Sequence, residues 1–130
     1  MTRRTAIAET NAFLERFITY RSVFQEYFKT MHLIESGEVL KYETYQRLTN
    51  NFLLNVKIYN RVCWDFIEKQ QLVESKVHKN LDNYFIKLVK SVQCMNPTDN
   101  QLDHKSLKKS QIEIDRAGHD FVTALSSNLG

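Results

Sequence analysis

Phe13, Phe17, Tyr20, Phe24, Tyr27 and Phe28 recur at steps of three and four residues and hand over to Met31. At about 100° per residue these positions keep within a narrow arc, while Ser22, Glu26 and Lys29 fall on the opposite side. The pattern predicts a helix over about residues 5–33 whose inner stripe consists almost wholly of rings, the signature of a helix-bundle seam. Gly37 follows as a stop, free to adopt the left-handed cap conformation.

A second helix is predicted over about residues 39–70, with Tyr45, Leu48, Phe52, Val56, Tyr59, Val62, Cys63, Phe66 and Ile67 on its inner side. Its apolar residues run past that side. Leu54 and Ile58 stand about 40–80° beyond the seam edge and Trp64 lies at its margin, with Arg47 and Arg61 alongside. A third helix over about residues 75–95 takes Ser75 as N-cap and a stripe of Val77, Leu81, Tyr84, Leu88, Val92 and Met95, widened by Phe85 and Val89. Phe66, Gln70, Val73 and Val77 keep one rhythm and no Gly or Pro interrupts them. The second and third segments therefore also read as one continuous helix that pairs or swaps with another chain. Asn96, Pro97, Thr98, Asp99 and Asn100 make a clear break, and Thr98 with Gln101 has the spacing of a capping box. A fourth helix then carries Leu107, Ile114, Phe121 and Leu125 to about residue 126, with Ala117 and Gly118 allowing close backbone approach.

The expected fold is all-α: a single domain over residues 1–130, a bundle of about four helices with Phe13, Phe17, Phe24, Phe52, Phe66, Leu81, Leu88 and Phe121 in its core. Composition agrees. The 130 residues, 42% of them hydrophobic, can fill one core, and 3 Gly and 1 Pro are too few for the turns of a strand-rich sandwich. Eighteen Lys and Arg against 15 Asp and Glu leave a net charge of +3, far from that of a dedicated DNA packager. Cys63 and Cys94 lie in apolar segments without zinc-ligand spacing and read as small buried hydrophobes in a reducing compartment. Arg3 and Arg4 are not followed by an apolar signal core and no segment approaches a membrane span, so a cytoplasmic protein without membrane contact is expected.

Candidate chemistry is sparse. On the third helix Lys76, Lys79, Lys87 and Lys90 share an arc of about 80° along roughly 21 Å, a spacing that can follow a phosphate backbone. No arginine accompanies them and no exposed aromatic is interleaved for base stacking, so sequence-specific readout is not expected. None of His32, His78, His104 and His119 has a Glu three residues before it, and His-Glu-x-x-His is absent. Asp115 and His119 share a helix face, which reads as a surface ion pair. Helical ribonucleases of the HEPN type space an Arg and a His more widely than Arg116 and His119. No glycine-rich elbow or phosphate loop exists among three scattered glycines, so neither catalytic nor cofactor- or metal-binding residues are expected. Six tyrosine hydroxyls, at Tyr20, Tyr27, Tyr42, Tyr45, Tyr59 and Tyr84, need outlets, which places their rims at the core edge or at an interface.

The function expected is therefore binding rather than catalysis: an assembly, adaptor or regulatory subunit that self-associates or holds a protein partner. Its interface is expected around Leu54, Ile58, Arg47, Arg61 and Trp64 on the second helix, because a small bundle covers only part of each helix. The alternative is an accessory protein contacting nucleic-acid phosphates through Lys76, Lys79, Lys87 and Lys90.

Overall fold

Each amphipathic stretch forms a helix. In the computed structural model α1 spans Arg3–Glu35, α2 Tyr42–Lys69, α3 Lys76–Ser91 and α4 His104–Leu129. The described residues are 3–37, 42–96, 98–99 and 101–129; Val39, Pro97, Asn100 and the side chains of Arg3 and Tyr42 lie outside the description.

Rings set the packing. Phe13 stacks on Phe66 with centroids 4.0 Å apart, Tyr20 on Tyr59 at 3.9 Å, and Phe24 meets Phe52 edge-on at 5.5 Å, so α1 and α2 run antiparallel. Phe121 of α4 touches Phe13 and Phe17, at 6.0 and 5.0 Å, while Phe85 of α3 reaches Tyr59 at 5.7 Å. The result is an up-down-up-down bundle with one contiguous core drawn from all four helices. Seven of the eight core residues expected are buried; Phe66 is half-buried and covers the core from its rim. Val89, expected to widen the α3 stripe, instead faces solvent. Gly118 faces the core, where a Cβ would make ordinary contacts with Tyr84 at 3.4 Å and Phe17 at 3.7 Å, so a small residue suffices there.

The chain breaks between α2 and α3, so the two are separate helices. Gln71 takes the left-handed φ of 58°, the Leu72 N–H reaches back to the Ile67 carbonyl at 2.9 Å, and the Gln71 N–H reaches Glu68 at 3.1 Å. This is a Schellman stop with Gln where Gly is usual, closed by the buried side chains of Ile67 and Leu72. Ser75 then caps α3 by accepting the His78 N–H at 3.2 Å.

The fourth helix starts later than the sequence predicts, and Thr98 with Gln101 is not its capping box. A 3-10 turn, Val92–Cys94, leads into a two-residue antiparallel ribbon, β1 (Met95–Asn96) with β2 (Gln101–Leu102). Asn96 and Asp99 spend their carbonyl and carboxylate oxygens on the N–H groups of Thr98 and Gln101, fixing a tight turn. Asp103 caps the helix instead, accepting from the Ser106 N–H at 3.1 Å and the Ser106 hydroxyl at 2.8 Å. These hydrogen bonds hold its carboxyl below the usual value.

The expectation of rim-placed tyrosines holds for Tyr20 and Tyr27, the latter accepting from Asn55 Nδ2 at 2.7 Å. It fails for Tyr45, Tyr59 and Tyr84, whose hydroxyls are buried: that of Tyr59 meets the Cys63 thiol, and those of Tyr45 and Tyr84 find no partner among the described residues. Their ring area outweighs the stranded hydroxyl, because a buried aromatic removes far more surface from water than one OH group costs. Burial raises all three hydroxyl pKa values and pushes the Cys63 thiol up to about 12, so Cys63 is a core hydrophobe and not a nucleophile. Among the described residues no helix is long and apolar enough to cross a membrane.

Two outcomes follow for stability. Phe17→Ala should cost about 3–5 kcal/mol in denaturant unfolding, whereas Tyr45→Phe should be neutral or stabilising because it deletes an unpaired buried hydroxyl. Asp103 has a depressed folded pKa, so its contribution is complete above its ordinary value of 3.8 and is lost as pH falls from there through the lower folded value. Asp103→Asn should keep the cap but flatten that acid limb in thermal melts followed from pH 2 to 6.

Candidate functional site

The surplus apolar surface of α2 is not covered by the other three helices. Leu54 is 54% and Ile58 46% exposed, and Arg47, Arg61 and Trp64 are exposed with them. The Trp64 ring lies 5.3 Å from that of His78 on α3 and shields one side of it. Leu54 and Ile58, expected beyond the edge of the seam, are thus not buried by the bundle itself.

Beside this ridge, α2 and α3 leave an apolar groove of about 670 Å³. Leu53, Val56, Lys57 and Asn60 line it from α2, a set spaced one and two turns apart, and Phe85, Ile86, Val89, Lys90 and Gln93 line it from α3. Val56 and Phe85 are buried and belong to the core; Leu53, Ile86 and Val89 stand proud of it, Ile86 at 62% exposure. Lys57 and Lys90 sit on opposite lips, and none of the lining residues is acidic among those described. Sequence reasoning missed the α3 half. Ile86 falls at the edge of the lysine arc, beside Lys79 and Lys90 on the helical wheel, and a lone apolar residue next to lysines gives no periodic signal.

The lysine arc itself is divided. Lys76, Lys79 and Lys90 are exposed, but Lys87 turns toward α4 and pairs with Glu113 at 3.5 Å, both side chains being largely covered. With Ile86 and Val89 on its flank, α3 presents a mixed apolar and basic face instead of a continuous phosphate track.

On the opposite side of the molecule α1 and α4 stand apart around a cleft of about 380 Å³. Arg21, Gln25, Lys29 and His32 line it from α1, Gln111 and Asp115 from α4, and Tyr84 forms part of its wall. Near its end three potential ligands meet. His104 Nε2 lies 2.6 Å from Glu35 Oε1, and the rings of His32 and His104 are 5.7 Å apart and tilted by 25°. The search for Glu-x-x-His passed over this group because the order on α1 is His32-x-x-Glu35 and the third member lies far along the chain. Asp115 lines the cleft while His119 lies exposed one turn further along α4.

No protein-family model, curated protein or solved structure matches the chain. The class that fold and surface define is a four-helix bundle with an uncovered apolar groove.

Proposed function

We propose that this bundle acts by protein–protein interaction, receiving an acidic amphipathic helix of a partner protein in the groove between α2 and α3. One observation carries the reading: an apolar floor of Leu53, Val56, Phe85, Ile86 and Val89 is bordered by Lys57 on one lip and Lys90 on the other. Two antiparallel helices with a trough between them accept a third helix through anchors at i, i+3, i+4 and i+7, and lysine lips select acidic flanks on it. Leu54 and Ile58, with Arg47 and Arg61 close by, extend the contact around α2 for a larger partner. A second copy of this chain would set basic lips against basic lips, which favours a different protein over self-pairing. Buried free thiols at Cys63 and Cys94 suit a reducing, cytoplasmic setting for an adaptor or regulatory subunit.

The test is fluorescence anisotropy with two labelled helical peptides of one apolar pattern, one flanked by Glu and the other by Lys. The acidic peptide should bind and weaken with added salt, and the basic one should not. Each apolar anchor lost through Leu53→Asp or Ile86→Asp should lower affinity about 10- to 100-fold, matching the roughly 1.5–3 kcal/mol of a buried aliphatic side chain. Because both residues are exposed, the variants should retain the helical circular dichroism and melting temperature of the parent. Equal binding of both peptides, or affinity unchanged in the double variant, would contradict the reading. Light scattering that finds a dimer, dissolved by Leu54→Asp with Ile58→Asp, would make a second copy the occupant. Tight binding of a DNA or RNA probe lost on changing Lys76, Lys79 and Lys90 to Glu would replace the reading with the nucleic-acid one.

A further inference from the structure

We propose that His32, Glu35 and His104 form a site for a divalent transition-metal ion of the zinc class, joining the end of α1 to the start of α4. The ligand atoms of all three residues lie within 4.8 Å of one another. A tetrahedral zinc ion, with bonds of about 2.0–2.2 Å, needs ligand atoms roughly 3.3 Å apart, a change that small side-chain rotations deliver. The Glu35–His104 contact of 2.6 Å opens slightly when the ion takes its place between them.

The scaffold already holds the donors. His32 and Glu35 stand one turn apart at the end of α1, and His104 is the first residue of α4, directly after its cap Asp103. Glu35 Oε2 accepts the Leu102 backbone N–H at 2.7 Å, so one carboxylate oxygen is anchored while the other faces the histidine. Such an outer contact is what orients a metal-binding carboxylate. Asp103 N–H donates to the Cys94 carbonyl at 2.9 Å and ties the 3-10 turn to the start of α4. Backbone position is thus fixed on both sides of the trio.

The chemistry selects the ion. Two imidazoles and one carboxylate favour zinc, cobalt, nickel or copper over magnesium and calcium, which prefer all-oxygen shells. Three protein ligands leave a fourth position open to water or to a donor from another molecule. His32 belongs to the α1–α4 cleft as well, which places the ion at one end of that cavity.

Metal-stripped protein titrated with zinc by calorimetry, and with cobalt by visible absorption, tests the proposal directly. One equivalent should bind, cobalt should give the intense bands of a tetrahedral site, and zinc should raise the melting temperature because only the folded chain assembles the trio. His32→Ala and His104→Ala should each weaken binding by more than the roughly 10–100-fold that loss of an outer contact costs. Both histidines are exposed, so these variants should stay folded, as their circular dichroism will show. His119→Ala, on the exposed side of α4, should leave affinity unchanged. Absence of zinc binding at 100-fold excess over protein would overturn the proposal. Binding that survives in the His32→Ala, His104→Ala double variant would overturn it equally.

Discussion

One ring holds the four helices in a common core. Phe17 of α1 is fully buried and packs against Tyr59 of α2 at 6.5 Å, Tyr84 of α3 at 5.1 Å and Phe121 of α4 at 5.0 Å. Each contact lies in the range where tilted or edge-on ring pairs gain energy beyond the area they bury. At Gly118 a Cβ would already touch Tyr84 and Phe17 at 3.4 and 3.7 Å, so this point of α4 has room for a small residue and not for a large side chain. Aromatics on this scale fill the interior with few residues, which is why Tyr45 and Tyr84 can sit there with hydroxyls that find no partner among the described residues and the bundle still close.

The same economy creates the surfaces on which binding is proposed. A ring-filled seam on α1 satisfies the inner sides of α2, α3 and α4, so the additional apolar residues of α2 and α3 have no helix left to cover them. They gather as the α2–α3 groove and the adjoining Leu54–Ile58 ridge. Across the bundle, α1 and α4 leave a cleft of mixed character, in which Phe24, Phe28 and Ile114 lie beside Arg21, Lys29 and Asp115, with His32 among its lining residues. Glu9 closes another margin by pairing with Lys69 at 3.1 Å and accepting from Gln70 at 2.6 Å, which ties the start of α1 to the end of α2.

How far the sequence foretold this depends on the range of the interaction concerned. Helical periodicity is local, so the stripes of α1, α2 and α3, the Ser75 cap and the Gly118 contact were readable directly. The α2–α3 stop was not, because a left-handed Gln71 does the work for which the sequence signal is glycine. The start of α4 was displaced because Asn96 and Asp99 use their side chains to turn the backbone into a short ribbon, while the true cap, Asp103, lacks the Glu or Gln partner of a capping box. Of the proposed interface, Leu54, Ile58 and Trp64 were legible as apolar positions outside a seam, but Ile86 became visible only when α3 was set beside α2. In the His32–Glu35–His104 trio, His32 and Glu35 are neighbours on α1, but only tertiary contact brings the start of α4 and His104 to them.

The α2–α3 groove is the proposed docking surface, and methyl-labelled NMR reads that surface residue by residue. With the acidic helical peptide added, shift changes should concentrate at Leu53, Leu54, Val56, Ile58, Ile86 and Val89, with Ile34, Leu107 and Ile114 across the bundle unmoved. Shifts that cluster instead at the α1–α4 cleft, or spread evenly through the core, would contradict it.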